Sequence, residues 1–325
     1  VVAGLYASAL FVRAARALAD LHDAAGRGPR AAHWRARADK TSAAIGARLW
    51  QPRRGFYRVH LPVKSPAGWT PPGDDDVFAL GGNALAVLYG IASDAQAARI
   101  FDVAEARRRA HRMGTIGAVL LPPYPAGVFR HPILREPFTY QNGGQWDWWA
   151  GRFVLAEFQR GDAARAFAHL RALAARASRL GGLFEWVTRE GAGKGSARYA
   201  GSAAALDNAV MQGLFGIALD AGRLAVDVRL GARSGEVHAH EPASGTEVDY
   251  RQVYDAGARR ITLTVSSSAR GTGRVGILVP AGATPSRLRI DGKPRALPPL
   301  RVVGRDRYVD VETDWARHEI GIALR

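Results

Sequence analysis

The stretch VFALGGNALAVLYGI, Val77 to Ile91, and the stretch that follows it, SDAQAARIFDVAEARRRAH, Ser93 to His111, decide how the first two thirds of this chain are read. The first is apolar on nearly every side, with Asn83 as its one strongly polar member. The second is amphipathic and carries Arg99, Arg107, Arg108 and Arg109. A helix that is apolar all round is buried, whereas one with a charged face lies at the surface. Gly90-Ile91-Ala92 stops the first helix, and Ser93 or Asp94 caps the second. The link between them is short, so the two form an antiparallel αα-hairpin.

The same alternation extends in both directions. Leu5 to Ala24 is periodic, with Leu10, Ala14, Leu18 and Leu21 on one face. A Gly-Pro linker leads to a second helix from about Ala31 to Leu49. Trp146 to Gln159 is mainly apolar, Gly161-Asp162 makes a tight turn, and an arginine-rich helix runs to Leu180. An apolar helix is expected over Ser202 to Leu219. Links within a pair are short, and links between pairs are long: Trp50–Asp76, Met113–Gln145 and Gly181–Gly201. Loops of that length inside a compact domain are usually functional. Alternation also implies that inner helices all point one way, so the three long links emerge together beside the inner helices' N-termini.

From about Leu224 the pattern changes to strands. Ile261-Thr262-Leu263-Thr264-Val265 and Val275-Gly276-Ile277-Leu278-Val279 are β-rich runs, Asp291-Gly292 is a hairpin dipeptide, and Tyr308 to Thr313 alternates with period 2. Such spacing suggests an antiparallel sandwich. The reading is therefore a mainly α chain with a C-terminal β domain, divided into residues 1–222 and 223–325.

Composition narrows the function. The 325 residues are 47% hydrophobic, enough for a large core, and no apolar run approaches the ~20 residues that span a bilayer. Cysteine is absent, which excludes disulfides and thiolate metal sites. The net charge of +16 raises a polyanion partner. The basic residues are nearly all arginines scattered over helix faces, with lysine only at Lys40, Lys64, Lys194 and Lys293, so nucleic acid is not expected as a partner. A soluble protein is expected, cytoplasmic in preference to secreted. The chain starts Val1-Val2 without an initiator methionine, and is read as a fragment or a processed chain.

Three segments of the long links carry chemistry. In Tyr140-Gln141-Asn142-Gly143-Gly144-Gln145-Trp146-Asp147-Trp148-Trp149, the glycines let backbone approach a ligand closely. Asn142 and Gln145 offer paired donors and acceptors suited to sugar hydroxyls, and the tryptophans offer flat apolar faces for sugar C–H groups. Helical positions are about 100° apart, so Trp146, Trp148 and Trp149 cannot all face one cavity, and one of the last two is expected to pack between helices. In Gly182-Leu183-Phe184-Glu185-Trp186, Glu185 lies between aromatics, placed either for acid/base work or for pairing with Arg189. In Trp69 to Asp76, the run Asp74-Asp75-Asp76 supplies caps, and Asp75 or Asp76 is close enough to the site end to reach a ligand. Asn83 needs a buried partner. The histidines show no HExxH spacing, and His238-Ala239-His240 lacks an evident third ligand. Neither a metal nor a cofactor is expected.

Tyr140-Gln141-Asn142-Gly143-Gly144-x-Trp146 resembles the Y-(Q/H)-N-G-G-x-W signature of six-hairpin glycosidases, the (α/α)6-toroid enzymes that include α-L-rhamnosidase-like, mannosylglycerate-hydrolase-like and debranching-type members. Leu49-Trp50 with Gly55-Phe56-Tyr57 is similar to that family's hairpin tip. Asn83-Ala84-Leu85-Ala86 with Gly90-Ile91-Ala92 is similar to one of its helices. Glu185-Trp186 with Gly193, Gly195, Tyr199 and Gly201-Ser202-Ala203 is similar to the carboxylate loop before its last inner helix.

The resemblance implies a partial (α/α)6 toroid of αα-hairpins followed by a β-sandwich, acting on carbohydrate. It implies a glycoside hydrolase with Glu185 as the general base of an inverting reaction. Tyr140, Gln141, Asn142, Gly143, Gly144, Gln145, Trp146, Trp69, Trp186 and Tyr199 would line the sugar site. The family's general acid precedes the helix that begins this chain, which leaves Asp76 and Asp147 as substitutes. A phosphorylase or sugar epimerase on the same fold, or a non-catalytic carbohydrate-binding remnant, are the alternatives.

Overall fold

The computed structural model describes residues 2–62, 73–220 and 223–325. The chain forms two compact units. One comprises Val1–Arg160 with Arg165–Asn208, and the other Gly161–Ala164 with Ala209–Arg325.

The first unit holds the helices α1 (Leu5–Ala24), α2 (Gly28–Leu49), α3 (Leu80–Leu88), α4 (Asp94–Ala110), α5 (Asp147–Gln159), α6 (Ala163–Leu180) and α7 (Ala200–Asn208). α1, α3, α5 and α7 pack in sequence, each against the next. They are the apolar members of the alternation. Leu80 to Val87 of α3 are all buried, and so is most of α5, including Phe153 to Phe158. α2, α4 and α6 each carry several exposed arginines, against the single Arg13 of α1. α4 starts on a capping box: Ser93 Oγ accepts from the Gln96 amide at 3.2 Å, and Gln96 Oε1 accepts from the Ser93 amide at 2.9 Å.

Two expectations change. α1 does not bury Leu10, Ala14, Leu18 and Leu21. It buries Leu5, Ala9, Val12, Ala15 and Ala19, and leaves Leu10 and Leu21 exposed. Small alanines on the buried face let neighbouring helices approach, which outweighs the larger leucines. The last helix is also shorter than expected. α7 ends at Asn208 and a π-helical segment covers Ala209–Leu214, with the Phe215 amide bonding back to the Val210 carbonyl at 2.8 Å. Gly216, at φ +66°, then turns the chain, and Ile217–Asp220 pairs as a strand with Arg223–Val226.

Asn83 finds its partners in the neighbouring hairpin tip. Its Oδ1 accepts from the Tyr57 amide at 2.9 Å, and its Nδ2 donates to the carbonyls of Tyr57 (3.1 Å) and Ala79 (2.9 Å). A buried amide is thus fully satisfied and fixes the Gly55-Phe56-Tyr57 tip to α3.

The second unit is β-rich. Its strands are β1 (Ile217–Asp220), β2 (Arg223–Val228), β3 (Gly235–Glu241), β4 (Thr246–Asp255), β5 (Arg260–Ser267), β6 (Thr272–Leu278), β7 (Pro285–Ile290), β8 (Lys293–Arg295), β9 (Arg301–Val303), β10 (Asp306–Asp314) and β11 (His318–Leu324). One sheet has the order β9-β10-β6-β2-β1 and the other β3-β4-β5-β11-β7-β8. All pairs are antiparallel except β2 with β6, where Val226 stands beside Val275 in parallel register. Alternate residues are buried, such as Ile261, Leu263 and Val265 on β5.

Candidate active site

All three long links meet at the N-terminal ends of the apolar helices. The link after α4 (residues 111–146) joins the link after α6 (residues 181–199) through a backbone pair, in which Gln145 and Val187 exchange bonds at 2.9 and 2.8 Å. The link after α2 reaches the same end and supplies Val59 and His60 to a cleft lined by residues of the second link.

Within the Tyr140–Trp149 segment, side chains diverge. Asn142 is fully buried, and its amide is engaged by backbone. Its Oδ1 accepts from the Tyr124 amide at 2.8 Å, while Nδ2 donates to the carbonyls of Tyr124 (3.1 Å) and Leu134 (3.2 Å). Gln145 is likewise buried. Its Oε1 accepts from Thr115 Oγ1 (2.7 Å) and Arg176 Nη1 (2.9 Å), and its Nε2 donates to the Thr188 carbonyl (2.8 Å). Asp147, at the start of α5, is ion-paired inside the protein with Arg176 of α6. Burial pushes the Asp147 carboxyl above its ordinary pKa, with the Arg176 charge and hydrogen bond acting the other way. These three polar side chains therefore hold the loop together. Gly143 and Gly144 are also buried, in the turn closed by the Gly144 amide on the Tyr140 carbonyl at 3.0 Å.

Tyr140 takes a left-handed backbone at φ +42°, and its hydroxyl donates to Glu185 Oε1 at 3.2 Å. Burial and the neighbouring carboxylate raise the phenol's pKa, which keeps it a donor. The Tyr140 ring stands edge-on to Trp146 (5.0 Å between centroids) and Trp186 (6.1 Å), and Trp146 stands edge-on to Tyr199 (6.2 Å). Glu185 is half-buried. Its carboxyl packs against Gly195, where an added Cβ would lie 2.2 Å from Oε2, and φ of +69° suits glycine as well. Arg189, the other partner considered for Glu185, instead lies over the Phe138 ring at 4.5 Å.

Gln141, Trp148 and Trp149 face a cleft of about 710 Å³. Tyr6 of α1 and Gly81 and Gly82 of α3 complete its helical wall. Val128, Phe129 and Leu134 from the second link add apolar surface, and Tyr124 and His60 add polar groups. Trp149 packs edge-on to Tyr6 at 4.8 Å and lies over Gly81 so closely that a Cβ there would meet the ring at 2.5 Å. Behind this cleft, buried Asp74 accepts from the Tyr124 hydroxyl and lies 3.7 Å from His60 Nε2. Trp149 thus packs between α1 and α3, as expected of one of the two tryptophans, while both border the cleft and Trp146 packs among aromatics.

Asp76 is held by Arg54 and by Arg107, whose Nη2 bonds its Oδ1 at 2.9 Å, while Arg107 Nη1 bonds the Asp76 carbonyl at 2.7 Å. Asp75 pairs with Arg58 at 3.1 Å. Trp69 lies outside the described residues. His238 and His240 of β3 pair with carboxylates of β4, Asp249 at 2.5 Å and Glu247 at 3.9 Å. Sequence reasoning gave Tyr124 and Arg176 no role, and gave Asp74 only that of a helix cap. Nothing in the local sequence separates Arg176 from the surface arginines of its helix, and only its burial between α5 and the second link sets it apart.

Among the described residues, no group of three or more His, Asp or Glu is arranged to hold a metal ion, and no helix is long and apolar enough to cross a membrane. Apolar helices thus gather three long links at their N-termini, with a carboxylate set among aromatic rings.

Residues 2–114 match the family model described as the mannosylglycerate hydrolase MGH1-like glycoside hydrolase domain. The α-L-rhamnosidase of Dictyoglumus thermophilum shares the fold at a TM-score of 0.58 and 9% identity, over 96% of this chain and 31% of that one. The GH78 rhamnosidase of a Bacillus species does so at 0.53 and 17%, over 83% and 25%. The GH63 mannosylglycerate hydrolase of Thermus thermophilus, in complex with glucose, aligns at 0.46 and 21%, over 64% and 48%. No curated protein matches the sequence. The chain spans about half the length of the Thermus structures it matches and a quarter to a third of the rhamnosidases. It resembles the six-hairpin glycosidase superfamily in the domain matched and in fold.

Proposed function

We propose that the chain is part of a glycoside hydrolase in which Glu185 is the general base of an inverting reaction. The observation that supports this most is the setting of Glu185: half-buried, held by the Tyr140 hydroxyl at 3.2 Å, and beside Trp186 in a cluster of aromatic rings. In this reading the Glu185 carboxylate takes a proton from a water as the water oxygen bonds to the anomeric carbon. The bond to the leaving oxygen breaks, and that oxygen takes a proton from a second carboxyl. Inversion requires the two carboxyls to stand about 6.5–9.5 Å apart, leaving room for the water. Asp147 and Asp76, the two candidates for the acid, are each engaged by arginine, and we assign them to holding the loops. Tyr140, Trp186 and Tyr199 contact the sugar, whereas Asn142, Gln145 and Trp146 position the loop beneath it.

Glu185→Gln tests this in the full-length protein against a panel of glycosides. The expected result is a loss of kcat of at least about a hundredfold, with partial rescue by azide through the opposite-face adduct. Turnover within about twofold of the parent overturns the assignment.

A further inference from the structure

The six-stranded sheet of the second unit has two unlike edges. β8, at one edge, is three residues long and reads Lys293-Pro294-Arg295. Shortness, proline and charge keep a sheet edge from pairing with another chain. β3, at the other edge, is seven residues long, pairs with β4 in unbroken register, and contains neither proline nor lysine. None of its residues is buried. Its outward backbone groups belong to alternate residues. The Tyr254 amide of β4 bonds Ser234 Oγ at 3.0 Å, on the β3 side, while the Glu247 carbonyl accepts from the Ser268 amide at 3.1 Å, on the β5 side. Even-numbered residues of β4 therefore turn their backbone polar groups to β3. Val237 stands opposite Tyr250, so odd-numbered residues of β3 bond β4, and Glu236, His238 and His240 direct theirs outward.

We propose that β3 pairs antiparallel with β3 of a second copy of this chain, with Val237 opposite Val237. This register sets Glu236 against His238 of the second copy, and symmetry repeats the pair. Both residues direct their backbone outward, so each pair exchanges its main-chain hydrogen bonds and the two sheets become continuous. The exposed side chains agree. Within the chain, Glu236 lies 3.8 Å from Arg251, and His238 bonds Asp249 at 2.5 Å. The bond to Asp249 raises the His238 pKa and favours the imidazolium. Across the joint, each row then runs Arg251, Glu236, His238, Asp249, with alternating sign. The half-buried Val237 side chains meet on the opposite face. Centring the pair on His238 instead would set two imidazolium rings against each other.

Sedimentation velocity on the 325-residue chain tests this, at up to about 200 µM because a short strand ribbon is a small interface. The expected result is a reversible dimer. His238→Pro removes an outward-directed amide that β4 does not bond, so the fold is kept and the dimer is lost. Glu236→Lys and His238→Glu change exposed side chains, and circular dichroism checks that each variant is folded. Each sets like charges together in both rows and is expected to weaken dimerisation at least about tenfold. An equimolar mixture of Glu236→Lys and His238→Glu recovers a dimer, because the mixed pair has opposite charges in both rows. A parent chain that stays monomeric, a dimer that both charge reversals leave intact, or a mixture that stays monomeric overturns the assignment.

Discussion

Replacing Arg176 by methionine tests the buried network that carries the Glu185 loop. The guanidinium is buried and bonds Asp147, Thr115 Oγ1 at 2.7 Å and Gln145 Oε1 at 2.9 Å. Gln145 in turn bonds the Thr188 carbonyl and the backbone of Val187, two residues beyond Glu185. Methionine keeps the volume of the stem and removes the charge, which leaves Asp147 buried without a counter-ion. Breaking a buried pair on one side costs ~3–5 kcal/mol, a large share of the ~5–15 kcal/mol that holds a typical domain together. The sign with pH follows from Asp147. Burial raises its pKa and Arg176 opposes that, so removing Arg176 leaves the upward influence alone. An acid whose folded pKa lies above its unfolded value makes the fold bind more protons, so the variant regains stability as pH falls. The slope approaches ~1.4 kcal/mol per unit while the folded group is protonated and the unfolded one is ionised. Urea unfolding is followed by tryptophan emission, which reports the helical unit because every tryptophan but Trp315 precedes residue 209. Arg176→Met with Asp147→Asn should cost clearly less than the sum of the single changes. A single-variant loss below about 1 kcal/mol at pH 7.5, or a loss equal at pH 5 and pH 8, refutes the argument.

Further outcomes follow from other contacts. Tyr140→Phe removes the donor to Glu185 and should lower kcat of the full-length enzyme by roughly 10–100-fold, since a hydrogen bond to a charged group is worth ~1.5–3 kcal/mol; steady-state kinetics with an unchanged melting temperature checks this. His169 lies between Glu157 (2.9 Å) and Glu105 (3.3 Å), linking α6 to α5 and α4. Burial lowers its pKa, but the bonds to the two carboxylates outweigh this and raise it. Its contribution is therefore complete below the unfolded value and lost as pH rises through the raised one. The parent's melting temperature should drop more between pH 6 and pH 9 than that of His169→Gln. Glu105 is held down to about 2, first by its bond to Arg108, so its contribution is present above the ordinary glutamate value and fades as pH falls towards 2; acid unfolding of Glu105→Gln should show a shallower decline over that window. Gly81→Ala drives a Cβ into the Trp149 ring, and overpacking of this kind costs ~1–3 kcal/mol, measurable by urea midpoint.

The legible part of the fold was the alternation of helix types. Gly90-Ile91-Ala92 with the Ser93 cap, and Gly161-Asp162, mark the short turns, and apolar periodicity marks which helices are enclosed. α1 shows the limit of such reading. Leu10, Ala14, Leu18 and Leu21 form the larger apolar stripe, yet the buried one is richer in alanine, because the choice depends on how closely neighbouring helices approach. The end of α7 shows another: Ile217 to Asp220 is apolar in either conformation, and only its pairing with Arg223–Val226 makes it a strand. In the Tyr140–Trp149 segment, the motif did not reveal which side chains turn inward to buried partners and which line the cleft.

The sequence by itself determined the αα-hairpin unit, the β-rich C-terminal part and the segments that meet at one end of the helices, because these follow from local periodicity, caps and glycine turns. Only the tertiary structure decided the work of each polar residue there. Asn142, Gln145 and Asp147 look like ligand contacts in a list of residues, but each meets a buried partner distant in sequence: the Tyr124 and Leu134 backbone, Thr115, or Arg176. Tyr140 and Gln141 are adjacent in the chain, yet one turns to Glu185 and the other to the cleft. A buried polar group must find a partner or bear the cost of desolvation, and where that partner lies is a property of the packed chain, not of the motif.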